Sequence, residues 1–426
     1  MMNILRKLLA FFAKRILKRY KPKVVGITGS IGKTSSKEAA FIVLKKKFRV
    51  RRNIKNYNNE FGVPLTIIGA ESGGKSIWGW FNVFAKAGKL WLGSKDKKYP
   101  DVLILEMGAD KPGDIKYLIN IAPPDIAVVT KVSPVHIESF GTIDKITKEK
   151  GDLVRYLPPT SAAILNFDDD KVREMSKITK AKILSYGYSE DCDMSVIGAA
   201  VSSENNKARG LSFKLSYQGS AIPMFLPGVI GKHQLYAALA GAAAGAVMGM
   251  NMVDIGQALK KFSSPRGRMN IIEGINASTI IDDSYNSSPD AAMAALEAVG
   301  KVPREGRLLA ALGDMLELGE LADEAHQNLG IKAAKLGYKK IYAVGKHNKQ
   351  ILKGAMRGGV SLENIKLFGN SADAAKYIAN EIESDDVILI KGSQATRMEK
   401  VVKAIMAHPE RAPQLLIRQN KEWLVS

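Results

Sequence analysis

Short apolar runs, each long enough for a buried strand and too short for a buried helix, recur along the chain at Val102–Leu105, Ile126–Thr130, Ala162–Leu165, Ile183–Tyr186, Thr279–Ile281, Leu308–Leu312, Lys340–Val344 and Val387–Ile390. Helix-period stretches lie between many of them. Apolar strands alternating with helices predict parallel sheets covered on both faces, the α/β class. The stretch from about 195 to 226 alternates instead, with polar turns, and predicts an antiparallel excursion. Residues 228–250 are rich in alanine and glycine and predict a closely packed helix. Ser263-Ser264-Pro265-Arg266-Gly267 reads as a boundary, after which a new strand–helix series begins. The expected organisation is a leader over residues 1–22, a central domain over 23–264 and a C-terminal domain over 265–426.

The leader has its own pattern. Its first 23 residues hold eight Lys or Arg and no acid. On a helix, Ile4, Leu5, Leu8, Leu9, Phe11, Phe12 and Ile16 fall on one side, with Arg6, Lys7, Lys14 and Lys18 on the other. Arg15 and Arg19 land toward the apolar side, where long side chains can snorkel. The uncharged run Leu8–Ala13 is too short for a signal peptide or a membrane span. Three readings stay open: a helix lying on anionic lipid, a helix docked on the protein, and a disordered basic leader. A second unusual segment, Ser76–Lys95, interleaves Trp78, Trp80, Phe81, Phe84 and Trp91 with Lys86, Lys89 and Lys95. It suits either a membrane-interface surface or an aromatic helix covering a sheet edge.

Composition narrows the classes. With 426 residues, 46% of them hydrophobic, the chain can bury two or three cores. The single cysteine, Cys192, excludes an internal disulfide framework and suits a reducing, cytoplasmic setting as a small buried hydrophobe. The formal charge of +21 and pI near 9.7 ask for an anionic partner, either nucleotide or the inner face of a membrane. Nucleic acid is not expected, because neither an aromatic RNA-reading signature nor a finger spacing is present.

The chemistry begins at Val24–Thr34, a buried strand running into a glycine loop and then a helix. Glycines let backbone N–H groups crowd around phosphate oxygens, the helix aims its positive end at them, Lys33 neutralises charge and the Thr34 hydroxyl reaches a magnesium ion. The spacing GxxxxGK[ST] is not met, since Ile27 stands at its first glycine; Gly29-x-x-Gly32-Lys33-Thr34 is what fits. Glu106 follows an apolar run at the ligand-binding edge of a parallel sheet, where a carboxylate can hold magnesium, with His136 a second candidate. Asp282-Asp283, Asp314 and Lys391-Gly392-Ser393 follow strands in the second half in the same way and suggest a second ligand face.

These words, together with Asn56-Tyr57-Asn58-Asn59-Glu60-Phe61-Gly62-Val63-Pro64, Glu106-Met107-Gly108-Ala109, Glu149-Lys150-Gly151, Asp282–Pro289 and Gly313-Asp314-Met315-Leu316-Glu317-Leu318-Gly319, resemble the Mur ligases over about residues 22–405. Within that family the chain is most similar to the members that add a D-alanyl dipeptide to a muramoyl peptide. The resemblance implies a central P-loop ATPase domain with a mostly parallel sheet, a C-terminal Rossmann-like α/β domain, and ATP-dependent amide formation through an acyl phosphate. It implies ATP phosphates on Gly29, Ser30, Gly32, Lys33, Thr34 and Ser35, a first magnesium on Thr34 and Glu106, and a second on His136. Lys150 matches a lysine that members carry as a carbamate beside that metal. Lys33, Lys150 and His136 would thus be the catalytic set. Gln234, Arg268 and Asp283 would reach the nucleotide, the last two from the C-terminal domain with Tyr285 nearby. Asn286, Ser393 and Arg397 would face the amine substrate.

Two departures modify the expectation. Muramoyl-peptide ligases carry a further N-terminal domain for the uridine-diphosphate part of the substrate, whereas 28 residues precede Gly29 here. The acceptor is therefore expected to be a nucleotide- or lipid-linked muramoyl peptide, held without a uridine-binding domain and with residues 1–22 available to an anionic membrane. Relatives also show Asn at the positions of Gln234 and Ala237; Ala offers no side-chain hydrogen bond, so relaxed adenine selectivity is expected. The alternatives are a ligase of the same chemistry acting on folate polyglutamate or a poly-amino acid, and a non-catalytic nucleotide-binding scaffold at the membrane.

Overall fold

The computed structural model describes residues 2–54, 57–134, 137–204, 207–420 and 423, which fold as two compact units. The first comprises Met1–Ile197, Lys214–Met224 and Leu235–Phe262; the second comprises Gly198–Phe213, Phe225–Gln234 and Ser263–Ser426.

Nine strands form one sheet: β1 (Lys23–Thr28), β2 (Val50–Arg52), β3 (Val102–Glu106), β4 (Ile126–Val129), β5 (Ala162–Asn166), β6 (Lys182–Gly187), β7 (Met194–Glu204), β8 (Lys207–Tyr217) and β9 (Ser220–Pro227). Their order is β2-β3-β1-β4-β5-β6-β7-β8-β9, and neighbours from β2 to β7 are parallel. Parallel neighbours need crossovers. The helices in this part are α1 (Met2–Tyr20), α2 (Lys33–Leu44), α3 (Gly62–Ile68), α4 (Ile77–Leu92), α5 (Asp114–Ile121), α6 (Ile137–Phe140), α7 (Ile143–Arg155), α8 (Asp170–Glu174), α9 (Lys232–Val247) and α10 (Met252–Leu259). Because β1 sits between β3 and β4, with Ile27 level with both Glu106 and Val128, the chain departs to opposite sides of β1 at one edge of the sheet. That is the topological switch point where ligands of such sheets bind.

α1 is docked through Leu9, Ala13 and Ile16, all fully buried in the core that β3 and β4 also line. Its apolar face divides in two. Leu9 and Ile16 go into the protein, while Ile4, Leu8 and Phe11 stay exposed.

The second unit carries a six-stranded sheet: β10 (Asn270–Glu273), β11 (Thr279–Asp283), β12 (Leu308–Gly313), β13 (Lys340–Val344), β14 (Ile365–Phe368) and β15 (Val387–Lys391), in the order β10-β11-β15-β12-β13-β14. Only β10–β11 is antiparallel. Side chains alternate between two cores: Leu308, Ala310 and Leu312 enter one, Leu309 and Ala311 the other. Helices α11 (Pro289–Gly300), α12 (Ala322–Lys335) and α13 (Asn348–Arg357) supply the first core; α14 (Ser371–Glu381) and α15 (Glu399–Ile405) supply the second. Burial on both faces is what a near-continuous apolar strand requires.

Candidate active site

The glycine loop occupies the switch point of the first sheet. Gly29 (φ 144°) and Gly32 (φ 89°) adopt left-handed backbone, and a Cβ on Gly29 would lie 2.0 Å from Thr130 Oγ1. Only glycine fits there. The segment after β4 pins the loop: Thr130 Oγ1 donates to the Ile31 carbonyl (2.6 Å), Ser30 N to the Lys131 carbonyl (2.6 Å) and Ser30 Oγ to the Ser133 carbonyl (2.9 Å). No side chain caps the start of α2, and its first turn holds no acid, so its N–H groups and dipole favour an anion. The Lys33 ammonium folds over the loop and donates to the carbonyls of Gly29 (2.7 Å) and Ser30 (3.1 Å).

Thr34 and Glu106 meet beside this loop. The Thr34 hydroxyl donates to Glu106, with Oγ1 3.1 Å from Oε2 and 3.3 Å from Oε1. Glu106 is buried and also accepts from Asn58 Nδ2 (3.3 Å), while the Lys37 ammonium stands 3.5 Å from Oε2. Lys37 is only 2% exposed and lies 3.7 Å from Glu38, which Arg52 also pairs. The carboxylate is thus aimed and partly neutralised by hydrogen bonds and one buried cation. A carboxylate next to a hydroxyl is a hard oxygen donor set, which fits magnesium.

Lys150 lies on the inner face of α7. Burial, and next the charge of Lys33, push its ammonium down to about 7; the neighbouring Glu149 charge pulls the other way. Glu149 is itself engaged, accepting from the backbone N–H groups of Gly113 (2.8 Å) and Ile115 (2.7 Å) at the start of α5. His136 lies outside the described residues. Lys37 and Asn53 do not figure among the residues expected from sequence. Lys37 carries a faint signal, one turn beyond Lys33 on the same helix face, and Asn53 carries none.

In the second unit, the ends of β11 and β15 bring Asp283 level with Lys391, whose ammonium donates to Asp283 Oδ2 (2.6 Å) and to the Asn286 carbonyl (2.9 Å) in a buried cluster. Asp282 points away from this cluster. Burial raises its carboxyl to about 6, although Ser284 donates to Oδ1 from both N and Oγ. The Arg268 guanidinium stacks over Tyr285 at 4.2 Å, and the Arg268 carbonyl accepts from Gln234 Nε2 (3.2 Å). Burial holds the His233 imidazole down to about 4, so it is neutral at physiological pH.

Ser393 sits among backbone groups: its Oγ accepts from Leu316 N (3.0 Å) and donates to the Ser287 carbonyl (3.3 Å). Asn286 and Ser393 therefore share one neighbourhood with Lys391. Arg397, in left-handed backbone, is tied to Glu399 (2.5 Å) and to the Trp423 carbonyl (2.7 Å). To meet a substrate carboxylate, its guanidinium would exchange this pairing for it.

Asp314, after β12, accepts from the backbone N–H groups of Lys346 (2.9 Å) and His347 (3.0 Å) and fixes the turn after β13. His326 stacks on His347 with centroids 4.5 Å apart. The three residues offer ligand atoms within 4.8 Å of one another. His326 is nonetheless spoken for on both nitrogens, Nε2 accepting from Met315 N (2.9 Å) and Nδ1 donating to the Ala322 carbonyl (2.6 Å). A metal would have to break these bonds, so the cluster serves as a hydrogen-bonded scaffold for the Gly313–Gly319 turn.

A glycine loop at the switch point of a parallel sheet, backed by Thr34 and Glu106 and joined in the chain to a second α/β unit, defines a nucleotide-dependent enzyme. The sequence matches the Mur ligase middle domain over residues 89–245 and the Mur ligase glutamate ligase domain over residues 267–394. It is 31% identical over 404 residues to the UDP-N-acetylmuramoyl-tripeptide–D-alanyl-D-alanine ligase of Mycobacterium tuberculosis strain H37Rv, covering 90% of this chain and 73% of that one. The enzyme so named from Bacillus subtilis strain 168 is 26% identical over 397 residues, covering 93% and 79%. The crystal structure of MurF ligase from Thermotoga maritima in complex with ADP superposes with a TM-score of 0.76 at 28% identity, covering 94% and 83%. The chain belongs to the Mur ligase family. It is an ATP-dependent ligase of peptidoglycan-precursor synthesis, similar to the ligases that attach D-alanyl-D-alanine.

Proposed function

We propose that the protein joins the carboxylate of a nucleotide- or lipid-linked muramoyl peptide to the amine of a D-alanyl dipeptide, with residues 23–264 as the ATP-binding domain and 265–426 as the ligase domain. The carboxylate oxygen attacks the γ-phosphorus of ATP, ADP leaves, and an acyl phosphate forms. The amine then attacks the acyl carbon, phosphate leaves with the C–O bond electrons, and the amine loses a proton as the amide forms.

Residues of this chain suit each part. The loop amides of Gly29–Thr34 and the Lys33 ammonium screen the like charges of carboxylate and triphosphate as they approach. Thr34 and Glu106 would hold magnesium, which when bound supplies positive charge to the phosphoryl oxygens. Asn58 and Lys37 keep the Glu106 carboxylate in place for that role. His136 would hold the second metal in this reading. Lys150, with an ammonium that loses its proton near neutrality, can present the free amine that takes up carbon dioxide as a carbamate, giving a further carboxylate. Arg268 stacked on Tyr285, with Asp283 and Gln234, would serve the nucleotide; Asn286, Ser393 and Arg397 would serve the amine substrate.

The observation that carries this reading is the Thr34–Glu106 contact at the mouth of the glycine loop. Phosphate release from ATP with magnesium and D-alanyl-D-alanine tests it, comparing soluble UDP-muramoyl tripeptide with its lipid-linked counterpart. Release is expected only when acceptor and dipeptide are both present, and Lys33→Ala should abolish it. ATP binding without phosphate release on either acceptor would overturn the reading.

A further inference from the structure

α1 and α4 lie side by side, and both leave apolar side chains in solvent. The Phe12 ring packs 5.8 Å from Phe84 and 6.0 Å from Trp91, Phe11 packs 5.4 Å from Trp91, and the Arg19 guanidinium binds the carbonyls of Trp91 and Gly93. Both helices therefore advance in the same direction along their contact. α1 has Leu9, Ala13 and Ile16 buried; α4 has Val83, Ala87 and Leu90 buried. Opposite those faces, Ile4 is 65% exposed, Trp78 75% and Phe81 61%, with Leu8, Phe11 and Leu92 also open. Isolated apolar side chains on a surface need no explanation, but two adjacent helices carrying them at helical spacing do.

Within the two helices the charge has one sign, with Glu71 and Asp96 just outside α4 and Asp96 acting on Lys86. Residues 2–23 and 72–95 contain no Asp or Glu. Lys7, Lys14 and Lys18 flank the α1 stripe in solvent, Lys86 and Lys89 are exposed on α4, and the Arg15 guanidinium lies over Phe11 (5.2 Å) and Trp91 (5.6 Å). We propose that the α1–α4 face docks on an anionic lipid bilayer, with the rings and aliphatic chains in the headgroup boundary and the lysines against lipid phosphates. A second copy of the chain would bring cations against cations, so charge complementarity selects lipid. Among the described residues no helix is long and apolar enough to cross a membrane, and the buried faces of α1 and α4 hold both helices flat on the protein. The platform is thus interfacial and belongs to the folded unit. Removing residues 1–22 would expose the core, so point substitutions in solvent are the correct probe.

Flotation of the full chain with vesicles of phosphatidylcholine, with and without phosphatidylglycerol, tests the proposal without turnover, so its outcome leaves the ligase reading untouched. Flotation is expected only with phosphatidylglycerol present, weakening with salt and accompanied by a blue shift of tryptophan emission. Replacing Lys7, Lys14 and Lys18 by Gln should lower partitioning about a hundredfold. Trp78→Ser with Phe81→Ser should lower it at least about tenfold, with thermal melting and ATP binding unchanged. Absence of flotation, equal flotation on both vesicle types, or wild-type partitioning by either variant would overturn it. So would a protein-concentration-dependent dimer that the Trp78→Ser, Phe81→Ser variant loses while vesicle binding stays nil.

Discussion

Asn53 holds the Glu106 backbone at both of its polar groups: its Oδ1 accepts from Glu106 N at 2.6 Å and its Nδ2 donates to the Glu106 carbonyl at 3.2 Å. The same amide also reaches the Tyr57 carbonyl. Asn53 is 1% exposed, so no water can replace it without rearrangement. It is a positioning residue for the carboxylate beside Thr34.

Asn53→Ala leaves a buried N–H and a buried carbonyl without partners. The expected cost is about 1–3 kcal/mol of stability, and displacement of Glu106 should lower kcat about a hundredfold. Asn53→Asp retains an acceptor for Glu106 N but loses the donor, so it should fall between wild type and alanine. Urea denaturation and steady-state phosphate release check both effects. An alanine variant with full activity would show that Glu106 holds its place without Asn53.

The contrast between Asn53 and Glu106 shows what the sequence could reveal. Glu106 was legible because it ends an apolar run, and the loop at Gly29–Thr34 was legible because its chemistry is contiguous. Asn53 was not, because its partner lies 53 residues away and only strand pairing brings them together. The strands divide in the same manner. Inner strands such as β12 and β15 are buried on both faces and read as unbroken apolar runs. The strands that did not stand out, β2, β10 and β14, are all at sheet edges, where Arg51, Arg52, Asn270, Glu273 and Lys366 interrupt the pattern. Half-burial blurs the signal that full burial sharpens.

Asp283 and Lys391 form a buried ion pair at 2.6 Å, and removing one partner of such a pair costs more than replacing both with apolar side chains. Lys391→Met strands a carboxylate and should cost about 3–5 kcal/mol. The double variant Asp283→Leu, Lys391→Met should recover much of that loss. Equal destabilisation of single and double variants in chemical denaturation would place the cost in the lost Lys391 bond to the Asn286 carbonyl instead.

Lys150 makes a pH prediction with a definite sign. Its folded ammonium titrates at about 7, below the 10.5 of an unburied lysine. Below about 7 both folded and unfolded chains hold the proton, and the full penalty of burying the charge is present. Between about 7 and 10.5 the folded chain releases the proton while the unfolded chain keeps it, so stability rises with pH across that window. Degassed denaturation series should therefore show the wild type gaining on Lys150→Met as pH climbs from 7 to 10. Bicarbonate should add stability to the wild type alone near pH 8, because a carbamate draws on the same neutral amine. It should give a carbonyl resonance with ¹³C-labelled bicarbonate that Lys150→Met lacks. A wild-type-minus-variant difference that is flat with pH would mean that Lys150 keeps its proton in the fold; the amine could not then be the one that carbon dioxide modifies, and the cation itself would face the triphosphate beside Lys33.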